Sequence, residues 1–509
     1  MIDCGTKVNG IIAENLEELK QTLRELDISG CPLYNETLIL LGQLPLEELV
    51  MKNCIKSEGY FIGNLWSQCA RFGNCEMAQI DMDLLWQDGV LKDTLKNLDI
   101  SLNDLEQTNL TSISEIPLRK LNVSKTNIKL QWNTMFQGIQ NSYLMENLKI
   151  LRIRDVFIDK SAFSSLCNFP FHVLEITYDA VKEFQDFTLL LQKPIMKTLQ
   201  ELTLDLKNHC QSFISFIANF KLQCFECKLG TWHYYNFASF WNSPNLENLK
   251  ILKLEDGKIS ENDANGISRL CLNTLWIYPF LFDSKEHILK VLSSNILQSS
   301  VIDLRMGGAY EIDNDHLGLI LRFKKLEHLE LKISGTNLTR IHFKRLEYLK
   351  SLKTLKLQVY IGLNIDEHAA DALCSLSGKT ELTLFLIGLG KSWPLVFTER
   401  AYHVFLLKNS FQNFQTPVVL KFSDCTLNQR CAEVFRSINI ESICFSSCVL
   451  DNFLKTFFDG KMKYTLTELT FKRVDIDKKQ LYELRNTHLT KLSIFLRLMI
   501  LHTTVCLKF

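Results

Sequence analysis

The residues Gly388–Ser392 read GLGKS and follow the strand-like run LTLFLI, so they resemble the end of a phosphate-binding loop. Such a loop opens on a glycine five positions earlier, so that backbone N–H groups can wrap the phosphates. Phe385 stands at that position, and Trp393 and Pro394 interrupt the helix whose N-terminus should hold the anion. An ordinary turn is expected. Cys224 and Cys227 form a CxxC pair, the spacing of half a zinc site. A zinc site needs both thiolates to converge and usually a second pair, and no partner pair stands at suitable spacing. The histidines are scattered, and no Ser-His-Asp set, HExxH or paired-carboxylate arrangement can be singled out. The chain is therefore expected to be no enzyme, with no catalytic residues, no cofactor and no metal. What remains is recognition chemistry. Trp276 and Tyr278, with Arg305, Lys253 and Glu255 beside them, are of the types enriched at binding hot spots. Arg152 and Arg154 form a second cluster, read as lying next to Lys120.

The elements that position these side chains follow from an internal repeat. LRELDISGCPL from Leu23, LKNLDISLNDL from Leu95 and LRKLNVSKTNI from Leu118 share LxxLxLxx(N/C/T)xL. Further copies begin at Leu148, Leu199, Leu249, Leu326, Leu352, Ile440, Leu466 and Leu489. Degenerate copies, among them FGNCEMAQIDM from Phe72, bring the count to about 19 units at intervals of roughly 23 to 30 residues. The LxL core predicts a short strand whose leucines face one way and whose intervening residues face the other. One unit cannot bury its leucines alone, so neighbours stack and share a core. The expected class is α/β: a solenoid, shaped as a horseshoe, with a parallel concave sheet and convex helices. DKSAFSSLCNF and SENDANGISRL fit those helices, with Asp or Ser as N-cap. The phase puts Asp27, Glu76, Asp99, Asn122, Arg152, Glu175, Glu226, Lys253, Trp276, Arg305, Glu330 and Lys356 on the concave face. It also sets Trp276 beside Arg305, makes the first units acidic, turns Cys227 into the core and Cys224 outward, and leaves His328 facing solvent or a partner.

Residues 1–22 read as an N-terminal cap or partial repeat and 23–488 as the solenoid, with a longer insertion at about 388–416. Residues 489–509 read as a terminal repeat with an apolar, poorly capped tail. Lys+Arg and Asp+Glu both number 57, so no basic excess points to nucleic acid. The tail SIFLRLMILHTTVCLKF is broken by Arg497 and His502, so no membrane span is expected. Sixteen cysteines in 509 residues, with no leader at the N-terminus, point to the cytoplasm or nucleus.

On these repeats the chain resembles the leucine-rich-repeat superfamily across nearly its whole length. Cysteine stands at the ladder position at Cys31, Cys54, Cys425 and Cys448. With the mixed unit lengths, this is similar to the intracellular cysteine-containing and ribonuclease-inhibitor-like classes. The resemblance implies a protein-protein interaction scaffold with a protein partner on its concave face. It also implies a role as substrate-recognition subunit of a cullin-type ubiquitin ligase, as in F-box- and ZYG-11-like proteins, with a cullin adaptor as partner. The alternative it implies is an inhibitor or regulator that wraps a single target enzyme. LPLEEL at Leu44–Leu49 resembles the start of an F-box, but the repeat phase makes Leu46 and Leu49 core residues. NLWSQCARFG echoes an elongin-binding pattern at Leu65 and Cys69, with Asn64 and Gly73 departing from it.

Overall fold

The structure is a computed structural model. It describes residues 17–29, 32–51, 55–56, 89–102, 113–125, 143–155, 160–177, 188–206, 211–229, 237–278, 281–307, 314–333, 345–360, 381–387, 418–429, 432, 440–458, 462–474, 489–495 and 504–508, apart from scattered positions inside those ranges. The chain forms two compact units, Met1–Leu252 and Lys253–Phe509.

In the first unit the LxL cores form a parallel ladder. Its strands are Glu25–Asp27, Glu48–Val50, Asn97–Asp99, Lys120–Asn122, Ile150–Ile153, Val173–Thr177, Glu201–Leu206 and Cys224–Leu229. Register places Leu49, Leu98, Leu121, Leu151, Leu174, Leu202 and Phe225 in one column, all buried. Each such side chain contributes about 1.5–3 kcal/mol relative to exposure. The column works only because the strand period of two turns every leucine of the motif to the same side.

In the second unit a parallel ladder runs through Thr274–Tyr278, Asp303–Met306, His328–Ile333, Thr354–Tyr360, Glu381–Ile387, Val418–Ser423, Ile440–Ser446, Glu468–Lys472 and Lys491–Phe495, and the strand Ile251–Glu255 spans the boundary between the units. Here phenylalanine takes over part of the core. Phe422, Phe445 and Phe471 occupy one register position, and their rings stack at 5.5 and 5.6 Å.

Short helices return the chain between strands. Lys160–Leu166 and Glu261–Ile267 fall on segments that the sequence marks as helical. Ser260 closes a capping box: its hydroxyl accepts from the Asp263 N–H, and the Asp263 carboxylate accepts from the Ser260 N–H at 2.9 Å. Two orphan donors are thereby satisfied at the helix start. Leu102, Lys125, Asp155 and Ser447 all have φ between 51° and 63°. Each lies three residues past the central outward residue of its strand, so the left-handed turn belongs to the repeat itself. It costs a non-glycine residue about 1–2 kcal/mol.

The fold is thus an α/β leucine-rich-repeat solenoid, as the spacing predicts, with two corrections. The expected unit at Phe72 has no place in the ladder, because Glu48–Val50 pairs directly with Asn97–Asp99. One strand edge accepts one neighbour, and that neighbour is taken; Glu76 lies outside the described residues. The intervening residues 57–88 lie outside those described. The second correction concerns the apolar tail. Thr504–Lys508 returns antiparallel against Lys491–Phe495, so the last parallel strand is not left open. The insertion at 388–416 connects strands that pair directly, Glu381–Ile387 and Val418–Ser423. Its own conformation, and with it GLGKS, lies outside the described residues.

Candidate protein-binding surfaces

Trp276 is the middle residue of Thr274–Tyr278, between Leu275 and Ile277, which point into the core. Parallel pairing sets it opposite Arg305. The Arg305 guanidinium lies 3.8 Å from the indole centroid, and the Lys253 ammonium lies 4.1 Å from it. Both distances are well inside cation–π range. Arg305 is not free to wander. Its Nε and Nη2 donate to the two Asp303 oxygens at 3.1 Å each, and its Nη1 is 3.6 Å from Glu330. This forked geometry fixes the guanidinium plane over the ring.

Tyr278 faces the same way two residues on. Burial pushes its phenol well above the usual range, the Glu330 charge adds to this, and Arg305 pulls against it. Its hydroxyl hydrogen-bonds to Glu330 and, being protonated, donates. The result is a connected array over four strands: Lys253, Trp276 with Tyr278, Arg305 with Asp303, and Glu330. Glu255 lies two residues beyond Lys253 on the same strand face. Trp276 and Tyr278 are both partly buried in the sheet face, and Lys253 and Arg305 lie over the Trp276 ring. The Trp276 Nε1 atom is buried and has no hydrogen-bond acceptor among the described residues.

The second cluster is in the first unit. Arg152 sits opposite Asn122, and Lys120 sits opposite Ile150, so Lys120 is not the direct neighbour expected. The reason is register: pairing aligns Leu121 with Leu151, which offsets Lys120 by two residues along the face. The direct neighbour on the other side is Glu175. Its Oε1 is 2.8 Å from Arg152 Nε and its Oε2 is 3.0 Å from Arg154 Nε. Neither Nε makes a hydrogen bond, so these are ion pairs with N–H groups not aimed at the carboxylate. Arg154 Nη2 is also 3.6 Å from Glu226.

The expected acidic stretch of the first units is also modified. Asp99 and Asn122 lie on the sheet face but are each only 8% exposed. Asp99 Oδ1 accepts from the Ser101 N–H and hydroxyl, and its Oδ2 accepts from Asn122 Nδ2 at 2.8 Å. These short side chains fold back onto the turn that follows their strand, so Asp99 presents little charge outward.

The remaining candidates fall into place. Cys227 is fully buried and Cys224 is not, as an odd separation along a strand requires, so their thiols diverge. Burial pushes the Cys227 thiol up, and the charges of Asp205 and Glu226 push it further. Cys448 is buried and donates its thiol to the Ser446 carbonyl at 3.3 Å; Cys31, Cys54 and Cys425 lie outside the described residues. His328 Nδ1 is 2.8 Å from the Thr354 hydroxyl, and its Nε2 is 4.0 Å from Glu327. Leu44, Leu46 and Leu49 are fully buried, so the leucines of LPLEEL are core. Leu65 and Cys69 lie outside the described residues. No helix among the described residues is long and apolar enough to cross a membrane.

No protein-family profile matches the chain, and no curated protein matches it. Among solved structures, the chain is similar to a crystal structure of a TLR13–ssRNA13 complex, with 14% identity and a TM-score of 0.37. That match covers 93% of this chain and 57% of the other.

Proposed function

We propose that this chain is a protein-protein interaction scaffold that takes a protein partner on the outward face of its sheet. The observation that carries the reading is Trp276, held between Lys253 and Arg305 with the arginine forked onto Asp303. Aromatic and arginine anchors in a partly desolvated setting are what binding hot spots are made of. Their side chains are already ordered, so a partner does not bear the cost of freezing them.

Within that class, we propose that the chain is the substrate-recognition subunit of a cullin-type ubiquitin ligase, in the cytoplasm or nucleus. The anchor spans only a few strands, which suits recognition of a short segment on a substrate. An inhibitor that wraps one enzyme would instead spread its contacts along many repeats. The test is a photo-crosslinking residue at Trp276, with a control at Lys290 on the helix Lys285–Leu292, followed by mass spectrometry. Crosslinks to a protein at Trp276 and not at Lys290, lost in Arg305→Ala, are expected. Co-purification of a cullin adaptor is expected with them. Equal crosslinking at both sites would overturn the surface assignment. A single tight enzyme complex with no adaptor would favour the inhibitor.

A further inference from the structure

The arginine pair of the first unit carries more cation than its neighbours use. Arg152 and Arg154 share the single carboxylate of Glu175 at their Nε ends. Among the described residues, Glu175 is the only side-chain partner of Arg152, and the ion pairs leave the Nε–H groups without hydrogen bonds. Both guanidiniums remain well exposed, at 37% and 41%, whereas Glu175 is 15% exposed beneath them. Arg152 faces Asn122, whose side chain is already committed to Asp99 and to the Ser124 N–H. The sheet face thus offers two adjacent guanidinium forks that are positioned from below and have N–H donors to spare. Fork geometry matches a carboxylate in two-point contact.

Resting on the reading of the sheet face as a protein-binding surface, we propose that Arg152 and Arg154 receive acidic side chains of an extended segment of the partner protein. A segment with carboxylates on alternate residues would repeat at about 6.4–6.8 Å, which is the spacing of Arg152 and Arg154 along their own strand. The surroundings select a peptide over a nucleic acid. Glu175 and Glu226 lie within ion-pair distance of the arginines, and Asp205 is one strand on from Thr177. A continuous phosphate chain would have to run over these carboxylates. A peptide can place one carboxylate over each arginine and a neutral residue between.

The test uses the full chain and a fluorescein-labelled peptide with glutamates on alternate residues, followed by fluorescence anisotropy. A glutamine peptide of the same length and a single-stranded RNA serve as comparisons. Saturable binding of the glutamate peptide is expected, weakened by added salt, with little binding of the glutamine peptide. Arg152→Ala with Arg154→Ala is expected to weaken it at least about tenfold, the size of one or two lost charge-assisted hydrogen bonds. Because the alanine pair leaves Glu175 uncompensated, Arg152→Lys with Arg154→Lys is the second variant. It keeps both charges and is expected to lose affinity because the forks are gone. Trp276→Ala is expected to leave peptide binding intact, which separates this proposal from the Trp276 anchor. Affinity unchanged from the native chain in both arginine variants would overturn the proposal, and so would RNA binding tighter than the peptide.

Discussion

Replacing Trp276 tests whether the cation sandwich has the energetics its geometry implies. Trp276→Ala removes on the order of 100–150 Å² of buried apolar surface, worth about 3 kcal/mol. It also removes two cation–π contacts at 3.8 and 4.1 Å, each worth about 0.5–1 kcal/mol for partly exposed partners. Against this stands the buried indole N–H with no acceptor, whose removal returns about 1–3 kcal/mol. The net expectation is a loss of about 2–3 kcal/mol. Trp276→Phe separates the terms. It keeps an aromatic face under Lys253 and Arg305 but deletes the unpaired donor. The weaker cation–π attraction of phenylalanine and the recovered desolvation cost then nearly cancel, and the change should lie within about 1 kcal/mol of zero. A repeat array need not unfold in one step, so a global midpoint is the wrong readout. Native-state hydrogen exchange on Thr274–Tyr278 and Asp303–Met306 reports the local opening free energy directly. A phenylalanine variant as unstable as the alanine variant would refute the reasoning, because the indole N–H would then have to be contributing rather than costing.

The core, the helix caps and the cysteines carry further expectations. Leu275→Ala empties a fully buried position of the ladder and is expected to cost about 2–5 kcal/mol by local hydrogen exchange, more than any substitution on the outward face of the same strand. Ser260→Ala breaks the capping box of Glu261–Ile267 and is expected to cost about 1 kcal/mol, whereas Ser260→Asp should restore most of it. A maleimide at mildly alkaline pH is expected to label exposed Cys271 in the folded chain. Buried Cys167 and Cys227, whose thiols burial pushes up, should react only after denaturant is added; peptide mapping by mass spectrometry distinguishes them.

The ladder was legible because a leucine that recurs every repeat leaves little choice of register. That register alone puts Arg305 beside Trp276 and Glu175 beside Arg152, and both pairings are found. Other features were not legible, for reasons specific to the residues. FGNCEMAQIDM carries apolar residues at the motif spacing, but the pattern cannot reveal that Glu48–Val50 reaches past it to Asn97–Asp99. Periodicity assigns a side to Asp99 without telling how far a short side chain reaches. Its carboxylate bonds back to Ser101 instead of facing water. The sharing of Glu175 by two arginines was half visible. Both neighbours stood in the predicted face, but which nitrogen meets which oxygen depends on rotamers that no repeat pattern fixes.

The two clusters apply the same device with different partners. In each, an arginine on one strand is held by a carboxylate: Asp303 from its own strand for Arg305, and Glu175 from the next strand for Arg152 and Arg154. Such pairs contribute little to stability at this exposure, commonly between zero and about 1 kcal/mol. On the proposed reading of the sheet face, their consequence is for recognition. A tethered arginine has already lost much of the rotamer freedom that would otherwise oppose binding, which amounts to about 1.5–2 kcal/mol for a fully ordered side chain. A carboxylate beside each arginine also keeps the face from attracting anions indiscriminately. A partner must then match positive and negative positions in order, because a misplaced carboxylate meets Glu175 or Glu330 instead of an arginine. Charge order of this kind raises specificity more than affinity.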